Sequence, residues 1–333
     1  MDKRELTMLQ ALPLDVKIAK SKLRIEEFIR TLGGSDKVYI SFSGGKDSTV
    51  LLDLVRSIYP DVEGIFSNTG LEFPELVNFV KTKENITMVR PKKSFKQVIE
   101  QDGYPVVSKK TSRMLKDLKN PTDKNIRIRS LYLSEYALDK DGNPTEIKNN
   151  SFRLAEKWKY LIDAPFKISN RCCDILKKNP IKDYEKISGK KPIIGTMAIE
   201  SKMRESAYLQ SGCNSFAEGK ERCNPLGFWT EQDILEYIVR FNLPYASVYG
   251  DIVKDNEGRW ITSGEKRTGC IFCMYGIHLE KGENRFQRLQ KTHPQLHSYC
   301  MDKLGFRTVC EYMNIPCEDT QYNMFNEIDK ELK

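Results

Sequence analysis

Six residues, Ser43-Gly44-Gly45-Lys46-Asp47-Ser48, constrain the fold more than any other stretch, because they join a strand pattern to a helix pattern. Upstream, Lys37-Val38-Tyr39-Ile40-Ser41-Phe42 is short, β-branched and aromatic, and it follows a Gly33-Gly34-Ser35-Asp36 turn, as a buried strand does. Downstream, Thr49-Val50-Leu51-Leu52-Asp53-Leu54-Val55 continues as a helix. The two glycines permit backbone angles that let successive N–H groups converge on an anion at the helix N-terminus. Ser43 and Ser48 add hydroxyl donors, Lys46 adds a cation, and Asp47 is a carboxylate able to hold magnesium directly or through water. The loop is therefore suited to polyphosphate. Its spacing is not that of the Walker A loop, which disfavours the common ATPases and GTPases.

The same alternation continues along the chain. Val62-Glu63-Gly64-Ile65-Phe66-Ser67 reads as a second strand, and Asn68-Thr69-Gly70-Leu71-Glu72-Phe73-Pro74 then leads into a helix. Ile86-Thr87-Met88-Val89 reads as a third strand and Pro192-Ile193-Ile194-Gly195-Thr196-Met197 as a later one. Such order predicts a doubly wound, mostly parallel α/β sheet with ligands at the carboxyl ends of its strands. Leu14, Ile18, Leu23, Ile25, Phe28 and Ile29 recur at helical spacing, which predicts an amphipathic packing helix before the first strand.

Residues 1–35 are accordingly read as an N-terminal helical segment and 36–260 as the nucleotide-binding α/β domain. Within that domain, about 108–160 is rich in Lys, Asp, Asn and Ser and is read as an inserted lid with a turn at Asp139-Lys140-Asp141-Gly142-Asn143-Pro144. Residues 261–333 form a cysteine-bearing, helical C-terminal region.

A chain of 333 residues with a net charge of +8 favours an anionic partner. It contains no apolar run long enough to span a bilayer, and Met1-Asp2-Lys3-Arg4-Glu5 does not begin a signal peptide, so the expected location is cytoplasmic. There nine cysteines are expected to serve metal binding, redox chemistry or plain burial rather than structural disulfides. Cys172 and Cys173 are adjacent, and Cys270-Ile271-Phe272-Cys273 supplies a C-x-x-C turn. Four thiolates in two such pairs suit zinc or an iron–sulfur cluster, and the sulfur count does not choose between them. Cys213 and Cys223 are alternative ligands, whereas Cys300, Cys310 and Cys317 fit small buried side chains.

Taken together, these motifs resemble the phosphoadenosine phosphosulfate reductase family of the PP-loop adenine nucleotide alpha hydrolases. The resemblance runs from about Lys37 to Cys273. It rests on the Ser43–Ser48 loop, the Asn68–Pro74 turn, Arg171-Cys172-Cys173 with Pro180, and Gly195–Ser201 with Arg204. Pro225-Leu226, Trp229-Thr230-Glu231, and Gly269-Cys270 with Cys273 complete it. It implies an adenine nucleotide, and a 4Fe-4S cluster on Cys172, Cys173, Cys270 and Cys273 like that of the family's adenylyl sulfate reductases.

Two departures bear on activity. The family's reductases carry a Glu-Cys-Gly motif near the C-terminus, whereas here the nearest thiol is in Pro316-Cys317-Glu318-Asp319. The complete Ser-Gly-Gly-Lys-Asp-Ser loop resembles members that split ATP into AMP and pyrophosphate. The resemblance thus implies an ATP pyrophosphatase and sulfurtransferase that adenylates an acceptor such as DNA or tRNA, with a cysteine desulfurase or other sulfur donor as partner. The alternatives are a sulfonucleotide reductase releasing sulfite and a non-catalytic nucleotide and cluster sensor.

On this reading Ser43, Gly44, Gly45, Lys46 and Ser48 bind phosphate, and Asp47 is the Mg2+ candidate. Lys46 also offsets charge on departing pyrophosphate, and Arg204 is either a phosphate clamp or the ion-pair partner of Glu200. Thr69, Gly70 and Glu72 face the nucleotide or cap a helix, while Trp229-Thr230-Glu231 is read as a structural helix entry. His278, His293 and His297 are read as structural or solvated. Lys281-Gly282-Glu283-Asn284-Arg285-Phe286-Gln287-Arg288 is either a nucleic-acid contact or a solvated helix face.

Overall fold

The computed structural model describes residues 2–319. They fall into two compact units, each discontinuous in sequence: residues up to 92 with 177–269, and 93–176 with the described residues from 270 on. This division differs from the continuous boundaries read from the sequence. The insertion at about 108–160, expected to separate the nucleotide half from the cysteine-bearing half, lies within 93–176 and so belongs to the same unit as the C-terminal cysteines.

The first unit is built on a six-stranded sheet: β1 (Val38–Ser41), β2 (Gly64–Ser67), β3 (Ile86–Val89), β4 (Lys191–Ile193), β5 (Asn214–Ser215) and β6 (Arg222–Cys223). Its spatial order is β3-β2-β1-β4-β6-β5. All neighbours are parallel except the β5–β6 pair. The expected doubly wound α/β fold is therefore present. Chain order reverses at β1, between β2 and β4, and the Ser43 loop leaves β1 at its carboxyl end, where such sheets place ligands.

β1 is central because Val38, Tyr39 and Ile40 are all buried, which a half-exposed edge strand would not allow. The amphipathic helix α1 (Leu14–Leu32) precedes it, buries Ile25, Phe28 and Ile29, and ends on left-handed Gly33. Lys17 on α1 is itself buried and donates to Asp233 Oδ2 at 2.6 Å and to the Gln10 carbonyl at 2.7 Å. Helix α2 (Lys46–Arg56) leaves the glycine loop, and α3 (Pro74–Lys81) follows the Asn68 turn. Helices α4 (Lys202–Ser211) and α5 (Glu231–Arg240) follow β4 and β6 in the chain. Asp53 of α2 accepts a 2.7 Å bond from Tyr237 of α5, which ties these helices together.

In the second unit, Val106–Val107 pairs in parallel with Met274–Tyr275, which carries the chain just past Cys273. The turn expected at Asp139–Pro144 closes an antiparallel pair of Tyr136–Leu138 and Pro144–Lys148, with Asp139 Oδ1 accepting from the Asp141 and Asn143 amides. Three helices end the described chain: α6 (Arg285–Thr292), α7 (Pro294–Ser298) and α8 (Phe306–Tyr312).

Candidate functional site

The first unit folds the Ser43–Ser48 loop as a tight cradle. Gly44 takes φ +73°, and a Cβ there would lie 2.6 Å from Val80 Cγ2 and 2.8 Å from Leu76 Cδ2. Only glycine fits, because α3 presses on the loop. The Ser43 and Ser48 hydroxyls lie 3.0 Å apart, and Ser48 also donates to the Gly45 carbonyl at 2.9 Å.

Lys46 is buried and its amine is engaged. It donates to Glu231 Oε1 at 2.5 Å and to the Lys266 carbonyl at 2.9 Å. Tyr249 crosses the same spot: its hydroxyl accepts the Lys46 backbone N–H at 3.3 Å and meets Thr268 Oγ1 at 2.6 Å. A Cβ on Gly45 would come within 3.3 Å of that hydroxyl and 3.6 Å of Thr268 Oγ1. The Ser43–Ser48 loop is thus bridged by Tyr249 and the 266–268 segment.

Asp47 is the loop residue with an unpartnered buried atom. Its Oδ1 is buried and has no hydrogen-bond partner among the described residues. Burial pushes its carboxyl above the ordinary value; Lys46, Arg267 and Arg204 pull the other way and Glu231 adds to the rise. A buried carboxylate oxygen aimed at nothing, ringed by three cations, suits a metal ion with phosphate.

Of the two roles read for Arg204, the structure contains the ion pair with Glu200, one helical turn away. Arg204 also stands close enough to Arg267 and Asp47 to feel their charges. Burial and then the neighbouring Arg267 lower its pKa, while Asp47 opposes them. Thr69, Gly70 and Glu72 form a closed turn: Glu72 accepts from Thr69 Oγ1 at 2.7 Å and from the Thr69 amide at 3.0 Å. These bonds close the turn on itself and do not cap the helix that follows, whose N-cap is Phe73 with no side-chain cap bond, so the helix-capping reading of the three is corrected to a self-contained turn.

Two site residues were not assigned from sequence. Glu231 was read as part of a structural helix entry, yet its carboxylate holds Lys46 while Thr230 performs the capping. Arg267 carried no pattern beyond the basic pair Lys266-Arg267 ahead of Gly269-Cys270. Trp229 is structural as expected, fully buried and donating to Ser21 Oγ at 2.9 Å.

The second unit contains all four cysteines of the expected set. Cys172 and Cys173 open a helical stretch that passes through a π-helical turn at Asp174–Lys178, a distortion frequent at functional sites. Their sulfurs lie 4.0 Å apart. Cys273 closes its turn by donating its amide to the Cys270 carbonyl at 3.1 Å, and Arg285 braces that turn through the Cys273 carbonyl at 2.9 Å. The Cys172 thiol is pushed well up by its hydrogen bond to Cys173, by burial, and by the charges of Cys173, Cys273 and Cys270. Burial raises Cys273 to about 11, with Cys270 and Cys173 adding to the rise.

The four thiols therefore share one patch, and their soft sulfur donors suit iron or zinc. Among the described residues, no three His, Cys, Asp or Glu side chains converge tightly enough for a single metal ion.

Cys213 and Cys223 do not belong to that patch. They lie in the first unit, with Cys213 3.2 Å from the Tyr208 hydroxyl and Cys223 directed at the Arg24 carbonyl at 3.9 Å. Cys300 and Cys310 are buried as expected, whereas Cys317 is half-exposed, a departure from the packing role read for it. His297 is buried and structural, and His278 stacks edge-on with Trp158 at 4.9 Å. In the Lys281–Arg288 stretch, Arg285 is engaged by Glu280 and by the Cys273 carbonyl. No helix among the described residues is long and apolar enough to cross a membrane.

The chain is 27% identical over 231 residues to the adenosine 5'-phosphosulfate reductase of Staphylococcus haemolyticus, covering 68% of this chain and 69% of that one. It is 26% identical over 267 residues to an uncharacterised protein of Methanocaldococcus jannaschii, covering 79% of this chain. It spans about half the length of that relative, 46%.

Among solved structures, a phosphate complex of phosphoadenylyl-sulfate reductase from Candida auris aligns at TM-score 0.40 and 14% identity, over 78% of this chain and 98% of that one. The U34-tRNA thiolase NcsA from Methanococcus maripaludis, with its 4Fe-4S cluster, aligns at TM-score 0.37 and 15% identity, over 92% and 84%. The phosphoadenosine phosphosulfate reductase domain model matches residues 37–121 and 136–275, which take in the glycine loop, Arg204, Arg267 and all four clustered cysteines. The chain therefore belongs to the phosphoadenosine phosphosulfate reductase family.

Proposed function

We propose that this chain is an ATP pyrophosphatase of the sulfur-transfer type. An acceptor oxygen attacks the α-phosphorus of ATP, pyrophosphate leaves, and sulfur later displaces the adenylated oxygen as AMP. The observation that carries this reading is the buried, unpartnered Asp47 Oδ1 beside Lys46, Arg204 and Arg267, a seat for a magnesium-bound polyphosphate.

Each residue has a definable task. Ser43, Gly44, Gly45 and Ser48 would offer hydrogen-bond donors to the phosphates, and Asp47 would hold Mg2+. Lys46 would exchange Glu231 and the Lys266 carbonyl for phosphate oxygens and oppose the charge developing on pyrophosphate. Arg204 and Arg267 would clamp the same leaving group. Cys172, Cys173, Cys270 and Cys273 would hold a 4Fe-4S cluster, which when bound supplies thiophilic iron for the incoming sulfur. A cysteine desulfurase or other sulfur donor would be the partner, and the net charge of +8 supports a nucleic-acid acceptor such as DNA or tRNA.

A second reading, reduction of a sulfonucleotide to sulfite, draws support from the curated relatives named adenosine 5'-phosphosulfate reductase and from the half-exposed Cys317 thiol. The two separate in one experiment. Anaerobically purified protein is assayed for pyrophosphate from ATP and for sulfite from adenylyl and phosphoadenylyl sulfate with a thiol reductant. Pyrophosphate without sulfite is the expected result; sulfite release would overturn the first reading in favour of the second.

A further inference from the structure

The residues around Cys317 are held in a way that packing alone does not require. Ile315–Asp319 has no regular secondary structure, yet three successive carbonyls in it each accept a bond from a side chain on or flanking α6 and α7. Asn284 Nδ2 donates to Pro316 O at 2.5 Å, His297 Nε2 to Cys317 O at 2.7 Å, and Gln287 Nε2 to Glu318 O at 3.3 Å. Gln290 Oε1 then accepts the Asp319 amide at 2.8 Å. Asn284, Gln290 and His297 are all buried, and burying polar groups is costly unless their bonds are made. The network fixes the Cys317 backbone on both sides.

What it fixes is a thiol pair. Cys310, fully buried on α8, donates a hydrogen bond to the half-exposed Cys317 sulfur. The Ile315 amide returns to the Cys310 carbonyl at 2.9 Å, closing the turn that brings the two cysteines together. We propose that Cys317 and Cys310 form a reactive dithiol that exchanges with low-molecular-weight disulfides such as oxidised glutathione, with Cys317 attacking and Cys310 resolving. This site is separate from the cysteine set assigned to the cluster and does not depend on the nucleotide reaction.

The chemistry balances as follows. The Cys317 thiolate attacks one sulfur of the small disulfide, forming a mixed disulfide and expelling one small thiolate. Cys310 then loses its proton to solvent and attacks the Cys317 sulfur, forming the Cys310–Cys317 bond and expelling the second thiolate. Two electrons pass from the protein dithiol to the small disulfide, and two protons are released to the two thiolates. Burial of Cys310 is no obstacle, because the resolving thiol meets only Cys317. The hydrogen bond from Cys310 and the Arg307 cation lower the Cys317 pKa against the opposing effect of burial, which favours the attacking form.

The test uses the full chain, purified anaerobically, treated with oxidised glutathione and mapped by non-reducing peptide mass spectrometry. A Cys310–Cys317 cross-link should form about tenfold faster than glutathione accumulates on any other cysteine. Cys310→Ser should trap glutathione on Cys317, and Cys317→Ser should leave Cys310 unmodified. A persistent Cys317 adduct in the wild type without the cross-link would overturn the proposal. So would equal labelling of all thiols, or undiminished Cys310 modification in the Cys317→Ser chain. The wild-type time course decides the matter even where a variant fails to fold.

Discussion

Asp47 sets two requirements against each other. Its buried carboxylate has an oxygen without a partner, which is unfavourable in the empty chain and useful once a cation arrives. Asp47→Asn should therefore raise the melting temperature of the ligand-free protein while weakening Mg2+-dependent ATP binding at least about tenfold. The pH dependence has a definite sign. Because the folded-state pKa of Asp47 lies above its ordinary 3.8, its favourable contribution is present below the unfolded value and is lost as pH rises through the folded value. Melts of the two proteins should coincide near the acid end and diverge toward neutrality, the variant being the more stable. Arg267 offers a second test at this scale. Arg267→Ala and Arg204→Ala should each weaken ATP or pyrophosphate binding by about tenfold, roughly 1.4 kcal/mol, measured by titration calorimetry.

Between elements, the glycine loop and α1 each make a contact whose loss can be measured. Gly44→Ala should destabilise the chain by about 1–3 kcal/mol in urea titration and abolish nucleotide binding, since the new methyl meets Leu76 and Val80 at a left-handed backbone position. Lys17→Ala should cost about 3 kcal/mol, because it leaves Asp233 partly buried without its cation at the start of α5. The loop, β1 to β3 and α1 were legible in the sequence because their signals are local: β-branched runs, a glycine pair and helical spacing at Leu14 to Ile29. β5 and β6 were not, since each has only two residues and no period can show in two. The Lys17–Asp233 pair spans 216 positions and the Lys46–Glu231 pair spans 185, so neither could be read from spacing.

For the whole molecule, separation of the cysteines gives a sharp prediction. Cys172→Ser or Cys273→Ser should strip iron and acid-labile sulfide from anaerobically purified protein, whereas Cys213→Ser and Cys223→Ser should retain them, because Tyr208 and the Arg24 carbonyl engage those two thiols elsewhere. Retention of iron by the first pair would remove the basis for assigning the cluster to them. The C-x-x-C turn and the vicinal pair were legible as a metal set, while the grouping of 93–176 with the C-terminal residues was not, being set by tertiary packing with no compositional trace. That interleaving also dictates how the chain is born. β1 lies between β2 and β4, so after the ribosome releases Ser41 one side of the central strand waits about 150 residues for Lys191–Ile193 to emerge. At ordinary translation speed that is about ten seconds in which one edge of an apolar strand has no partner, the kind of exposure that favours aggregation of nascent chains.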